Sequence, residues 1–209
     1  MFAKAPVPGQ AKTRLIPRLG AWRAARLHAR LIRGTIEAAL AARCGAVELH
    51  GTRPHSFFRK LKVRFRLQRG HDLGERMYHA LARARGPAIL IGTDCPALTP
   101  ADLRRALRYL RIGYDAVIAP AEDGGYALIG TRRAQSDWFE GIEWGGPSVY
   151  AETVKKLEGR RWRTLRQVWD VDRPEDVERL RSLRLASASR RGAPRSSCSP
   201  AHSGGSGRP

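Results

Sequence analysis

Ala88-Ile89-Leu90-Ile91 runs directly into Gly92-Thr93-Asp94-Cys95-Pro96, and the architecture can be read from that junction. A short aliphatic run bounded by turn residues reads as a buried strand of a parallel sheet. Gly92 permits a close turn, and Pro96 has no amide hydrogen with which to continue a ladder. Asp94 is therefore expected at the carboxyl end of the sheet, the edge at which open α/β sheets bind ligands. A second acidic group, Asp170-Val171-Asp172, follows another strand-like stretch at 165–169. Alternation along it sends both acids one way and Val171 into the core, although Asp172 also stands where it would cap a helix starting at Pro174. Carboxylate oxygens are hard ligands. Asp94 and Asp172 thus form a candidate pair for Mg²⁺ or Mn²⁺, which take one or two protein carboxylates and complete their shell with substrate phosphates.

Working outward, residues 21–43 carry Ala24, Leu27, Leu31, Ile32, Ile36 and Leu40 as an apolar stripe at helical spacing, closed by Gly45. Residues 46–50 and 63–67 read as strands, 72–85 as a helix, and Thr99-Pro100-Ala101-Asp102 as the capped start of another helix. Strands at 115–119 and 126–129 flank the Gly124-Gly125 turn, a helix spans 148–157, and Pro174-Glu175-Asp176 opens the last one. Strands alternating with helices in this way specify an α/β protein, a three-layer α/β/α sandwich with a mainly parallel sheet. One domain over residues 1–185 accounts for the pattern. Residues 186–209 are rich in Ser, Gly, Pro and Arg, bury too little apolar surface to offset ordering entropy, and are expected to be a disordered tail.

The chain has 209 residues and a formal net charge of +20, which taken alone points to a nucleic-acid partner. The arginines are instead spread over nearly every expected helix without the aromatic interleaving of a base-stacking surface, so no specific nucleic-acid partner is expected. No apolar stretch is long enough for a membrane span, and the amino terminus lacks the apolar core of a secretory signal, so a cytoplasmic protein is expected. Cys44, Cys95 and Cys198 show no paired spacing and read as unpaired thiols.

Three further segments carry chemistry. Lys4-Ala5-Pro6-Val7-Pro8-Gly9-Gln10-Ala11-Lys12-Thr13-Arg14 packs cations, prolines and a glycine ahead of the first helix, suited to gripping a pyrophosphate through Lys12, Arg14 and backbone amides. It is not a Walker loop, which needs glycine where Pro6 and Ala11 stand. Gln68-Arg69-Gly70-His71-Asp72-Leu73-Gly74-Glu75-Arg76 admits two readings. Asp72 and Glu75 form a helix cap, or Gln68 and Gly70 shape a base pocket while Arg76 faces phosphates. Glu122-Asp123-Gly124-Gly125-Tyr126 sets two acids before a diglycine turn that either lets a ligand approach the backbone or simply closes a hairpin. His28, His50 and His71 show no ligand spacing and read as core or surface residues.

Together, the Lys4 to Leu15 segment, Asp72-Leu73-Gly74-Glu75-Arg76-Met77, Gly92-Thr93-Asp94-Cys95-Pro96, Asp123-Gly124-Gly125-Tyr126 and Asp170-Val171-Asp172 resemble one bacterial family. It comprises small glycosyltransferase-like proteins, the nucleotide-diphospho-sugar transferases, some of them arsenosugar biosynthesis glycosyltransferases. The resemblance spans residues 1–183 and implies the glycosyltransferase A-type, Rossmann-like fold. It implies that Lys4, Gly9, Lys12, Thr13, Arg14, Gln68, Gly70 and Arg76 bind a nucleotide, and that Asp94 and Asp172 hold the metal. Asp94, Asp123 and Lys12 are then the catalytic set, with Gly124, Gly125 and Tyr126 beside a small-molecule acceptor. Family members carry more apolar residues ahead of Met1-Phe2-Ala3, so a start further upstream and a shortened central strand are expected. They also carry Ser or Thr where Gly145-Gly146 follows Trp144. The reaction implied is metal-dependent glycosyl transfer from a nucleotide-diphosphate sugar. Nucleotidyl transfer from a nucleoside triphosphate is the alternative, as in related guanylyltransferases, and a basic nucleic-acid-binding protein without catalysis is the reading of another class.

Overall fold

The computed structural model describes the backbone of residues 1–192 and side chains as far as Leu183. In chain order its elements are β1 Phe2–Ala3, α1 Ile16–Leu19, α2 Ala21–Ala42, β2 Glu48–Gly51, α3 Ser56–Arg59, β3 Arg64–Leu67, α4 Leu73–Ala82, β4 Ala88–Ile91, α5 Pro100–Arg111, β5 Ala116–Pro120, β6 Tyr126–Thr131, α6 Val149–Lys156, β7 Trp162–Thr164 and α7 Pro174–Gly192. Short 3-10 turns lie at Thr13–Leu15 and Ser136–Trp138. A parallel bridge from Phe2 to Gly92 joins the sets β1-β2-β3 and β4-β6-β5-β7 into one sheet of order β3-β2-β1-β4-β6-β5-β7. Among the described residues β6 alone runs antiparallel, against both β4 and β5, so the sheet is mainly parallel as expected.

Two-residue alternation divides the central strands between the layers. Ile91, Val117, Ala119 and Leu128 pack with Ile32 and Ile36 of α2 and Leu103, Ala106 and Leu110 of α5. Their neighbours Leu90, Ala116, Ile118 and Ile129 pack with Met77 and Leu81 of α4, Trp138, Phe139 and Leu157 on the other face. A third cluster seats α7 through Val177 and Leu180 against Leu15, Ala24, Leu31 and Val171.

The helix starts behave as their sequences dictate. Asp72 accepts a hydrogen bond from the Glu75 amide at 2.8 Å, and Thr99 and Asp102 form a complete capping box. Asp102 is buried and also receives Arg166 Nε at 3.1 Å and Nη2 at 2.7 Å, which anchors the segment after β7 to the start of α5.

One expectation is corrected. The strand expected at 165–169 lies earlier, at Trp162–Thr164, paired with β5. Beyond it the chain leaves the ladder and touches β5 again only through Leu165, whose amide donates to Ile118, and Val168, whose amide donates to Pro120. Arg166 turning out to Asp102 is the physical reason for the break. Helix α7 runs from Pro174 to Gly192, and residues 193–209 of the expected tail lie outside the described residues.

β1 contributes only two residues. The Met1 ammonium donates to the Glu48 carbonyl at 2.8 Å, and burial lowers its pKa to about 5. A cavity of about 420 Å³ opens at this amino-terminal edge, lined by Met1, Val47, Glu48, Ala88 and Leu103, and holds none of the acids or cations described below. Cys44 and Cys95 are free thiols, while Cys198 lies outside the described residues. Among the described residues no helix is long and apolar enough to cross a membrane.

Candidate functional site

Parallel strands end at a common edge, so β1, β2, β3 and β4 deliver Lys4, Arg53, Gln68 and Asp94 to one side of the sheet. The β5–β6 turn brings Asp123 to the same edge. The two acidic segments meet there through the backbone, because the Val171 amide donates to the Asp94 carbonyl at 2.9 Å. Val171 is fully buried, as its alternation with the flanking acids required.

Lys12 stands between the acids. Its Nζ lies 3.1 Å from Asp94 Oδ2 and 3.9 Å from Asp172 Oδ1, and its side chain is only 5% exposed. Arg14 pairs with Asp172 from the solvent side. Lys12 holds a left-handed backbone, φ 51° and ψ 48°, a conformation uncommon outside glycine and found where a side chain must be aimed. Asp172 does not cap α7. The amides of Asp172 and Arg173 are instead met by Asp176 at 3.0 and 2.6 Å, which leaves the Asp172 carboxylate to Lys12 and Arg14.

Asp94 splits its oxygens between two cationic or polar groups. Oδ2 meets Lys12, while Oδ1 is buried 3.3 Å from His28 Nδ1. The Asp94 side chain as a whole is 42% exposed, so one edge is open to a ligand. Burial raises its pKa, but His28 and Lys12 outweigh that and hold it at about 2, so Asp94 stays ionised through neutral pH.

Asp170 is the opposite case. Burial and the neighbouring Asp123 push its pKa up to about 6, with Lys12 opposing. Asp123 and Asp170 are therefore close enough to repel, which extends the site from Lys12 to the β5–β6 turn. A folded pKa raised above the unfolded 3.8 means stability is fullest below about pH 4 and is lost as pH rises towards 6 and beyond. Asp170→Asn is accordingly expected to stabilise the protein at pH 7.5 by about 1–2 kcal/mol, allowing for solvent screening, and to give little gain at pH 4. Urea unfolding at the two pH values checks this, and an equal gain at both would contradict it.

Other expected site residues fall less uniformly. Gly9, with φ +80°, and Thr13 lie exposed in the first loop, and Gln10 Oε1 receives Arg53 Nη2 at 2.6 Å, tying that loop to the end of β2. Lys4 is exposed, with its carbonyl accepting from His28 Nε2 at 3.1 Å. Gln68 spends its amide on the His50 carbonyl at 3.0 Å.

Arg76 is corrected. Its guanidinium donates to the carbonyls of Gly70 at 3.0 Å and His71 at 3.1 Å, so it braces the loop before α4. The Tyr126 hydroxyl is likewise turned inward to Met77 Sδ at 3.9 Å, and burial pushes its pKa up. Of the two acids before the diglycine turn, Glu122 is clamped by Arg179 at 2.7 and 3.0 Å. Asp123 is exposed and, among the described residues, accepts only the Gly125 amide, at 2.9 Å.

Gly124, with φ +89°, packs its α-carbon against the Pro147 backbone, so this turn and the 145–148 loop form one surface. Within the Asp72 to Met77 motif, Gly74 makes room for the Trp144 indole.

Two residues were missed as site members. His28 lacks any ligand spacing, and its signal was a histidine in the apolar stripe of α2, four residues after Ala24 and three before Leu31. Asp170 was seen only as the partner of Asp172.

A divalent ion fits this donor set in one respect. Asp94 Oδ2 and Asp172 Oδ1 offer hard oxygens on either side of Lys12, and both side chains are partly exposed, at 42% and 33%. No group of three His, Cys, Asp or Glu side chains among the described residues could hold a metal by itself, so phosphate oxygens would have to complete the shell.

Residues 35–146 match the family described as "Uncharacterized protein conserved in bacteria (DUF2064)", a span that includes Asp94 and Asp123 but not Lys12 or Asp172. The structure is similar to that of a candidate nucleotide-diphospho-sugar transferase from Desulfovibrio desulfuricans G20, with a TM-score of 0.82 and 32% identity over 91% of this chain and 88% of that one. It also resembles CMP:2-keto-3-deoxy-manno-octonic acid synthetase complexed with CTP, with a TM-score of 0.59 and 15% identity over 89% of this chain and 97% of that one, a likeness of fold alone. No curated protein matches the sequence. With over half its length matched and a relative aligned almost end to end, the chain belongs to the bacterial DUF2064 family of nucleotide-diphospho-sugar-transferase-like proteins.

Proposed function

We propose that this chain is a metal-dependent glycosyltransferase that moves a sugar from a nucleotide-diphosphate donor to a small-molecule acceptor, within a catalytic unit of residues 1–185. The observation that carries the reading is the convergence of Asp94 and Asp172 on Lys12 at the carboxyl edge of the sheet. The similarity to the Desulfovibrio candidate nucleotide-diphospho-sugar transferase supports the same reading.

Lys12, Arg14 and Lys4 supply fixed positive charge to the diphosphate, and Gly9 and Thr13 shape the loop that carries it. Asp94 and Asp172 would hold Mg²⁺ or Mn²⁺, which when bound neutralises charge developing on the departing nucleoside diphosphate. Gln68 and Gly70, at the end of β3, border the space for the base. Asp123 is the acid free to take a proton from an acceptor hydroxyl, since Glu122 is held by Arg179. The acceptor would lie over Gly124 and Gly125, with Tyr126 supporting the turn from below. Arg76 acts on the nucleotide only through the loop it braces.

The test is to incubate the protein and Mn²⁺ with a panel of nucleotide sugars and nucleoside triphosphates. Release of nucleoside diphosphate is the expected result. Release of pyrophosphate would establish nucleotidyl transfer instead. Neither product, together with salt-sensitive oligonucleotide binding that survives Asp94→Ala, would establish a nucleic-acid-binding protein.

A further inference from the structure

We propose that His28 is a positioning residue that holds the Asp94 carboxylate from behind, keeping Oδ2 turned towards the ligand side. α2 carries His28 in its buried stripe, and the residue is only 4% exposed. An imidazole in that place is costly unless its nitrogens are matched. Nε2 lies 3.1 Å from the Lys4 carbonyl, which can only accept, so Nε2 carries a proton. Nδ1 lies 3.3 Å from Asp94 Oδ1, which is also an acceptor, so holding both oxygens at once takes a proton on each ring nitrogen. Nδ1 and Oδ1 are buried, and neither has another hydrogen-bond partner among the described residues.

One ring therefore spans the end of β1 and the end of β4. The two oxygens of Asp94 then have different fates. Oδ2 faces Lys12, which is shared with Asp172 and can be drawn away by a bound diphosphate. Oδ1 faces a ring fixed by the helix core, so it keeps its neighbour whether or not Lys12 moves. This assignment rests on the proposed function for the identity of the ligand, while the tether itself does not.

Two variants separate the nitrogens. His28→Asn places an amide near the Nδ1 position, and His28→Gln places one near Nε2. Ligand-free crystal structures are expected to show Asp94 unmoved in His28→Asn and turned away in His28→Gln. Calorimetry with Mn²⁺ and UDP or GDP is expected to show affinity weakened by roughly tenfold or more in His28→Gln and held within about threefold in His28→Asn, with the two melting temperatures alike. Asp94 unmoved in His28→Gln would overturn the tether. So would equal weakening of both variants in step with their melting temperatures. If the wild-type protein binds neither nucleotide, the donor reading fails, and the two crystal structures still decide the role of His28.

Discussion

Asp94→Asn is expected to abolish nucleotide binding that depends on a divalent ion and to lower turnover by roughly 100-fold or more, the scale of losing a preorganised charge at the reacting centre. The reason is local. Asp94 presents its carboxylate at the end of β4, 3.1 Å from Lys12 and 3.3 Å from His28, and stays ionised with a pKa of about 2. The amide keeps the shape and removes the charge. Lys12, whose side chain is 5% exposed, is then left with Asp172 at 3.9 Å as its nearest acid, a poor match for a buried ammonium. Because the Asp94 pKa is depressed, its contribution to stability is present above about pH 4 and lost as pH falls through 2. Between pH 5 and 8 the pH dependence of the site is therefore expected to follow Asp170. Calorimetric titration of the variant with Mn²⁺ and a nucleoside diphosphate is the measurement. Wild-type affinity with intact metal dependence would remove Asp94 from the site.

The second large effect is on the scaffold. Gly124→Ala is expected to cost about 2–4 kcal/mol of stability, through a strained backbone and a clash that no rotamer relieves. Gly124 has φ +89°, and an added Cβ would lie 2.0 Å from the Pro147 oxygen and 2.6 Å from its carbonyl carbon. Both obstacles are backbone. Relief requires the 145–148 loop to move, which also breaks the 2.9 Å bond from the Tyr150 amide to the Gly124 carbonyl that seats the start of α6. Asp123, one residue away, would be displaced with the turn. Urea unfolding gives the loss directly, and a change below about 1 kcal/mol would show that the turn yields more easily than its packing implies.

Most of the fold was legible in the sequence because its signals are local. The apolar stripe of 21–43, the capped start at Thr99, and the aliphatic run before Gly92 each act within a few residues, and α2, α5 and β4 stand where those signals put them. The strand expected at 165–169 failed for a reason no window contains. Arg166 is drawn out to Asp102, 64 residues away, and the ladder breaks there.

The site divides along the same line. Composition and alternation were enough to nominate Asp94, Asp172, Lys12 and Arg14, since strand ends and basic loops are written locally. Alternation also placed Val171 in the core. What the folded chain alone decided is which groups face one another. The Val171 amide reaches the Asp94 carbonyl, His28 passes from the core of α2 to the back of Asp94, and Arg76 turns to the carbonyls of its own loop. Sequence determined the order of strands, turns and charges, because each is a short-range preference of the backbone. Only tertiary packing decided which of those charges are paired, because the partner of a buried charge is chosen by the sheet order that closes the core.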